Sequence, residues 1–196
     1  LARVILIEAG PRILPSFPES LARRAMRDLE ALGVTVWTAS PVTRIDASGV
    51  EVGRERIETA TTLWAAGVEA SALGKTLGLA TDRLGRIRVG PDLALSDHPE
   101  VFVLGDQALA AGPSGAPLPG LAPVAMQQGR FAARAIRAEL RGRPRGKFVY
   151  RDRGQMATIG RSRAICEAGP LRFGGFAAWL FWLSVHIYFL VGFKNR

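Results

Sequence analysis

Hydrophobic and polar positions follow two successive patterns over the first forty residues. The run at residues 4–8, VILIE, is apolar until its last position and is followed by glycine and proline, which predicts a buried strand. Leucine and alanine then recur at helical spacing over residues 21–32, after Pro18 and before Gly33, where a helix is expected to begin and end. The run VTVWT at residues 34–38 predicts a second strand. Together these elements predict a βαβ unit of the doubly wound α/β class.

The pattern changes after the βαβ unit. Residues 42–63 alternate around the turn sequences ASG and GRE, which is typical of short antiparallel strands. The apolar run TTLWAAG closes this region at Gly67, and a domain boundary is expected soon after it. We therefore predict three parts, residues 1–68, 69–145 and 146–196.

The second predicted part contains one more apolar strand. A polar, glycine-rich hairpin, DRLGRIRVG, precedes the run VFVL at residues 101–104, and this predicted buried strand ends on Gly105 and Asp106. The stretch from Ala110 to Pro123 is too rich in glycine and proline for regular structure. The sequence VAMQQGRFAARAIRAELRG that follows predicts a helix ending at Gly142.

Two of the predicted strands end on a carboxylate, Glu8 and Asp106. In an open parallel sheet, ligands bind beyond the carboxyl ends of the strands, so an acid there faces a crevice. Glu8 stands where a dinucleotide-binding fold places the acid that accepts hydrogen bonds from an adenosine ribose, although a solvated acid at a strand end has the same pattern. Gly105 permits close backbone approach, and an ionised Asp106 can accept hydrogen bonds from polyol hydroxyls.

Composition narrows the classes of partner. With 196 residues, 48% of them hydrophobic, the chain can hold one or two domains. Its formal net charge of +9 suits nucleic acid, an anionic lipid surface or phosphate-bearing ligands. The basic residues are mostly scattered and no RNA-binding aromatic signature accompanies them, so nucleic acid is not expected as a partner. The N-terminus has no signal-peptide pattern and is interpreted as starting within a domain.

The rarer side chains offer little catalytic chemistry. Cys166 is the one cysteine, which excludes an internal disulfide and a Cys-x-x-Cys site, and it is expected to be a small buried residue. His98 and His186 have no triad or metal-ligand spacing, so no metal site is expected. We interpret His98 as a loop residue and His186 as an interfacial one.

The C-terminus is apolar and aromatic. The run from Phe176 to Phe193 would span about 27 Å as a helix, a borderline length for crossing a bilayer. Interruption by Ser184 and His186 favours a helix lying in the membrane interface, where aromatic rings prefer the headgroup level. The flanking basic residues could pair with anionic lipid heads: Arg172, Lys194 and Arg196. A dimer or core helix is the alternative, and both roles are compatible.

Several motifs carry a family resemblance. In chain order they are VILIEAGPRILPSFPE, TTLWAAGV, VFVLGDQA, LPGLAPVAMQQG, MATIGRSRAI and VHIYFLVGFKNR. Together they resemble the C-terminal half of a type II NADH dehydrogenase, the single-subunit NADH:quinone oxidoreductase. The resemblance implies part of an α/β flavoprotein with two dinucleotide-binding domains, for FAD and NAD, and a C-terminal helical segment that associates with a membrane.

The resemblance also assigns cofactor-binding residues. It implies that Gly105 and Asp106 bind the ribitol and pyrophosphate side of FAD. Glu8 would bind the adenosine ribose of NADH, where an acid disfavours the 2′-phosphate of NADPH. Ala66 and Gly67 would form a tight turn against the nicotinamide dinucleotide, and Ala125 would complete the cofactor-binding set.

The segment APVAMQQG resembles the family's quinone-site signature, Ala-Gln-x-Ala-x-Gln. Ala122, Ala125 and Gln127 match this signature, but Pro123 replaces its first glutamine. Gln127 is therefore the candidate quinone ligand, and Gln128 is expected to be a helix-surface amide. The unpaired N–H groups and positive dipole end at the start of this helix would favour negative charge on a nearby reduced flavin.

The activity implied by the resemblance is hydride transfer from NADH to FAD followed by reduction of a membrane quinone, at the cytoplasmic side of the cell membrane. A homodimer is a further implied assembly, and this chain alone is expected to be inactive. A non-catalytic membrane-docking or dimerising fragment is the first alternative. A sulfide:quinone oxidoreductase would want a second redox cysteine, and a disulfide reductase would want a C-terminal histidine paired with an acid.

Overall fold

The computed structural model describes residues 3–190. The chain divides into two compact units: one joins the residues up to Trp64 with those from Arg153 onward, and the other is Ala65–Asp152. Most of the C-terminal part, expected to stand apart, thus shares a unit with the N-terminal part. The three-part division itself stays a prediction.

The first unit begins with the predicted βαβ element, which the structure confirms. Strand β1 (Val4–Ile7) pairs in parallel with β2 (Val34–Trp37), and α1 (Glu19–Ala31) connects them. The helix begins after Pro18, whose carbonyl accepts the first two helical N–H bonds. It ends at Gly33, whose φ of 83° is readily adopted by glycine.

Two antiparallel sheets complete the first unit. The expected one contains β3 (Val42–Asp46), β4 (Gly49–Val52) and β5 (Glu55–Glu58), in that order. The other sheet was not expected from the sequence pattern and contains β8 (Gln155–Gly160), β9 (Arg163–Ala168) and β10 (Leu171–Gly175). Its strand order is β10-β9-β8.

One face of the new sheet packs on α1. The buried residues of this core come from the loop between β1 and α1, from α1 itself and from β9: Ile13, Phe17, Leu21, Ala25 and Ile165. A second cluster joins β9 to the C-terminal helix through residues with no exposed surface: Ala164, Cys166 and Ala178. The C-terminal part is therefore anchored in the core of its own unit.

The C-terminal helix α4 is Phe176–Phe189, shorter than the predicted stretch to Phe193. Leu190 leaves the helical conformation, with φ −58° and ψ 132°, and residues 191–196 lie outside the described part. Lys194 and Arg196 are therefore also outside it, while Arg172 pairs with Glu167 at 3.2 Å. Among residues 3–190, no helix is both long enough and apolar enough to cross a membrane.

The second unit contains short elements and one long helix. They are α2 (Leu73–Thr76), β6 (Ile87–Arg88), a 3₁₀ turn (Gly105–Gln107), β7 (Ala108–Leu109) and α3 (Ala122–Glu139). Strands β6 and β7 pair in parallel. As expected, the glycine- and proline-rich loop before α3 has little regular structure, and Pro123 lies in the first turn of the helix.

The predicted strand at residues 101–104 is wrong as a regular strand. Phe102 forms an isolated antiparallel bridge with Ala94, and Val103 donates its N–H to the carbonyl of Leu93 at 3.0 Å. Leu93 has a φ of 64°, a left-handed conformation that an extended ladder cannot contain. The pairing therefore stops after one bridge, although Val103 is buried as expected.

Candidate functional site

The acid at the tip of β1 is held by its own turn. Glu8 Oε1 accepts a hydrogen bond from the N–H of Gly10 at 2.6 Å. The backbone of Glu8 continues the pairing with the second strand, since its N–H donates to the carbonyl of Trp37 and its carbonyl accepts from Ser40. Because the backbone and one carboxylate oxygen are both fixed, the second carboxylate oxygen is presented from a rigid turn.

Arg12 organises the rest of this turn. Its guanidinium donates to the carbonyls of Phe17, at 2.9 Å, and Pro15, at 2.7 Å. The turn that carries Glu8 is thereby tied to the residues just before α1. Neither Gly10 nor Arg12 was identified from the sequence, because a backbone N–H contact and a guanidinium-carbonyl contact leave no periodic signal.

Ala66 and Gly67 lie in an extended, exposed part of the second unit. The chain bends at Ala66, and Gly67 has a φ of 106°, which favours glycine. The residues on either side are strongly exposed, with Trp64 68% and Val68 77% accessible. The expected turn is thus present as an open bend, and its contact with a dinucleotide stays a prediction.

Gly105 and Asp106 lie together in the 3₁₀ turn. Gly105 has a φ of 62°, and a Cβ placed on it would lie 3.4 Å from the Cβ of Ala125. Gln107, the last residue of the turn, donates its amide to the carbonyl of Ser71 at 3.0 Å. The turn is therefore held between the start of the second unit and the first turns of α3.

The Asp106 carboxylate is exposed and has no hydrogen-bond partner within residues 3–190. A Cβ on Gly120 would lie 3.1 Å from its Oδ1, so a larger residue at Gly120 would press on this carboxylate. An unpaired acid beside two glycines can receive hydroxyl donors from a ligand that approaches the backbone closely.

Gln128 contradicts the prediction of a helix-surface amide. It is 1% exposed, not a helix-surface amide, and its Oε1 accepts a hydrogen bond from the N–H of Gly105 at 2.6 Å. Its position was readable from spacing, because it stands four residues after Val124 and three before Phe131, both of which are buried. Gln128 thus fixes the backbone that precedes Asp106.

Gln127, unlike Gln128, bonds to the backbone of Arg151. Its Nε2 donates to the carbonyl of Arg151 at 2.9 Å, and its Oε1 accepts from the N–H of the same residue at 3.1 Å. A side-chain amide has two N–H donors, so one remains for a further partner. The structure places Gln127 at the end of the second unit's chain and does not bring it onto Gly105.

Cys166 and the two histidines make only local contacts among the described residues. Cys166 has no exposed surface, and burial raises the pKa of its thiol, which keeps it in the unreactive protonated form. His98 is a loop residue, 3.2 Å from Glu100. His186 contacts its own helix, with its ring 4.2 Å from that of Trp182. No group of three metal-ligating side chains occurs in the described ranges.

The comparisons with known proteins agree with the resemblance drawn from the sequence. The profile of the family described as pyridine nucleotide-disulphide oxidoreductase matches residues 1–129. The type II NADH:quinone oxidoreductase Ndh of Mycobacterium tuberculosis is 42% identical across 100% of this chain. The type II NADH:quinone oxidoreductase of Staphylococcus haemolyticus is 37% identical across 81% of it. These relatives confirm the resemblance.

The chain spans less than half the length of each of these two relatives. The chain spans 44% of the M. tuberculosis protein and 40% of the S. haemolyticus protein. Among solved structures, NDH2 from Plasmodium falciparum in complex with NADH matches 99% of this chain with a TM-score of 0.86, at 14% identity and over 56% of its own length. This likeness supports the α/β fold of both described units.

Proposed function

The chain belongs to the pyridine nucleotide-disulphide oxidoreductase family, and we propose that it is part of an FAD-dependent NADH:quinone oxidoreductase. In the overall reaction, NADH, a quinone and a proton are converted to NAD⁺ and the quinol. The 42% identity with type II NADH:quinone oxidoreductase Ndh, across the entire chain, is the observation that carries this proposal.

The turn at Asp106 fits a flavin dinucleotide. Its carboxylate is free to accept hydroxyl donors, and Gly105 and Gly120 leave the approach open. Bound there, FAD would supply the two-electron chemistry between NADH and the quinone. The residues of this chain contribute the acceptor carboxylate and a backbone turn held by Gln128.

The turn at Glu8 suits the adenosine ribose of NADH. Since Glu8 Oε1 is bonded to Gly10, the other oxygen is oriented to accept a ribose hydroxyl. An ionised acid at this place would repel the extra phosphate of NADPH. Ala66, Gly67 and Ala125 complete the proposed cofactor set, and Gln127 is the proposed quinone ligand through its remaining N–H.

We also place the protein peripherally on the cytoplasmic side of the cell membrane. The first support is the exposed apolar surface of α4, where Phe176 is 61% and Tyr188 is 67% accessible. The second is that a respiratory quinone is dissolved in the membrane. A homodimer formed through part of the same surface is compatible with it.

Separate measurement of the two half-reactions tests the assignment. In the purified protein that contains this chain, flavin absorbance would report bleaching by NADH and recovery on adding quinone. Glu8→Ala should slow bleaching at subsaturating NADH and leave recovery unchanged. Gln127→Ala should slow recovery threefold to tenfold, since one hydrogen bond is worth about 0.5 to 1.5 kcal/mol.

Gln155→Ala is the matched control for Gln127→Ala, because Gln155 lies in the first unit, where its amide donates to the carbonyl of Ser16. It should leave both half-reactions unchanged. A preparation without flavin absorbance would refute the proposed function. If Gln127→Ala slowed bleaching and spared recovery, Gln127 would belong with NADH and the quinone assignment would be wrong.

A further inference from the structure

The outer face of α3 carries a row of arginines. Arg130, Arg134, Arg137 and Arg141 follow one another at spacings of four, three and four residues. Arg130, Arg134 and Arg137 lie in α3, where 100° per residue places them on one stripe of the helix, and Arg141 follows in the turn after the helix ends at Glu139. Four of the five buried residues of α3 have the same spacing six positions earlier: Val124, Gln128, Phe131 and Ala135. The two stripes are therefore about 120° apart, and the arginines face solvent.

The arginine stripe has no acidic partner within the described part of the chain. All four side chains belong to exposed residues, and no ion pair includes them. The acid of this helix, Glu139, pairs with Arg145 at 2.7 Å, and Arg145 is also 3.5 Å from Asp92. Like charges at helical spacings of three and four repel one another, so the stripe gains stability when an anion binds to it.

Helix electrostatics alone do not account for the stripe. Basic residues in the last turn of a helix are stabilised by its negative end, which explains Arg137. That effect does not extend beyond the last turn, whereas Arg130 and Arg134 lie in the middle of the helix. The helix dipole therefore does not stabilise Arg130 and Arg134.

The stripe ends at a depression bordered by more positive charge. Arg134, Arg137, Arg141 and Arg143 line a surface depression of about 450 Å³. From residue 130 to residue 147 the sequence contains seven basic residues and one acidic residue, against a net charge of +9 for the whole chain. The positive charge is therefore concentrated in this segment, contrary to the scattered distribution inferred from the sequence.

The neighbours of the stripe indicate which anion it suits. Leu140 is 82% and Ile136 is 45% exposed beside the arginines, and both side chains are aliphatic. Aliphatic side chains at the level of the charges suit the boundary between lipid headgroups and acyl chains. Single-stranded nucleic acid would instead call for exposed aromatic rings for base stacking, and the aromatic residue of this part of α3, Phe131, is buried.

We propose that the arginine stripe of α3 binds the phosphate groups of an anionic phospholipid surface. An open, solvent-exposed face holds a single small anion weakly, because salt screens its charges. A membrane presents many phosphates at high local density to all four arginines at once. This contact lies in a different unit from α4 and is argued from charge, so it holds whether or not the protein oxidises NADH.

Vesicle co-sedimentation tests the inference on the purified protein that contains this chain. The triple variant Arg134→Gln/Arg137→Gln/Arg141→Gln should bind vesicles of phosphatidylglycerol and phosphatidylcholine roughly tenfold to hundredfold more weakly than wild type at low salt. Binding to pure phosphatidylcholine should be unchanged. At about 1 M salt, where the screening length is about 3 Å, the difference should vanish.

A matched control removes the same charge elsewhere. Arg54, Arg83 and Arg88 are exposed and outside every ion pair in the described residues, so their triple change to Gln keeps the net charge equal to that of the test variant. It should alter vesicle binding less than threefold. The thermal midpoint of the test variant should equal or exceed that of wild type, since repulsion is relieved.

Three results would overturn the proposal. The first is equal loss of vesicle binding in both triple variants, which would indicate a general charge effect. The second is unchanged binding in the test variant. The third is saturable binding of inorganic pyrophosphate or of a short oligonucleotide in the absence of vesicles, if the test variant loses this binding but binds vesicles as wild type does. That result would assign the stripe to a soluble polyanion.

Discussion

The turns at Glu8 and Asp106 start from the same sequence pattern, an acid at the end of an apolar run, and are fixed in opposite ways. At Glu8 the carboxylate accepts from Gly10, two residues away, and the backbone continues a parallel pair. At Asp106 the carboxylate has no partner in residues 3–190, and the preceding backbone is held by Gln128, 23 residues away. One acid is oriented locally, and the other is left free on a turn oriented from a distance.

This difference has a consequence for ligand binding. A carboxylate that is already bonded to its own turn loses little freedom when a ligand arrives, and it offers one oxygen in a set direction. A free carboxylate adapts to several hydroxyls but depends on its backbone for position. Damage to the first turn should therefore affect ligand affinity, whereas damage to the second should affect stability first.

The largest expected effect is at Gln128. Gln128→Leu removes the acceptor for the Gly105 N–H in a buried place, and a buried donor without a partner costs about 1 to 3 kcal/mol. We expect the free energy of unfolding to fall by that amount in urea titration. Flavin retention should fall with it, because the turn that carries Asp106 loses its anchor.

Gln127→Leu is the control for this prediction, since the two amides are adjacent on α3. Gln127 bonds to the backbone of Arg151 at a solvent-exposed place, so water can replace its partners. Its loss should cost less than about 1 kcal/mol. Equal destabilisation by the two variants would show that the Gly105 turn does not depend on Gln128.

The same comparison shows which parts of the fold could be predicted from the sequence. The βαβ unit was predictable because its partners, β1 and β2, are separated by one amphipathic helix with a proline at its start and a glycine at its end. The run at residues 101–104 has an equally apolar pattern but pairs with a segment that contains Leu93 in a left-handed conformation. A hydrophobic pattern reports burial and does not report whether the partner backbone is extended.

The next effect concerns the glycine of the second turn. Gly105→Ala forces an L side chain into a φ of 62°, which costs about 1 to 2 kcal/mol. We expect lower stability in urea titration and weaker flavin retention. Gly115→Ala is the control, because Gly115 has a φ of 81° in an exposed loop with open space around it. It should lower stability by a similar amount and leave flavin retention as in wild type. Normal flavin retention in Gly105→Ala would contradict the role of this turn.

The candidate site was only partly predictable for related reasons. Glu8, Gly105 and Asp106 were proposed because an acid or a glycine after an apolar run is visible in one sequence, and their roles stay predictions. Gln128 was missed because the neighbouring Gln127 matched a recognised signature, although helical spacing alone places Gln128 on the buried face. The sheet of β8, β9 and β10 was missed because its strands lack a period-two pattern: three successive residues of β9, 164–166, are buried.

The smallest effect should appear at Gly10, where the first turn positions its acid. A Cβ on Gly10 would lie 3.1 Å from Glu8 Oε1, tighter than an ordinary contact, and Gly10 has no positive φ to strain. Gly10→Ala should therefore leave the free energy of unfolding within about 0.5 kcal/mol of wild type and raise the KM for NADH about threefold, by displacing the carboxylate. Glu8→Gln should raise the same KM, and the double variant should be no worse than Glu8→Gln alone, because residues in direct contact are not additive. If Gly10→Ala and Glu8→Gln gave additive increases in KM, the two residues would act separately, and the orientation of Glu8 by Gly10 would be disproved.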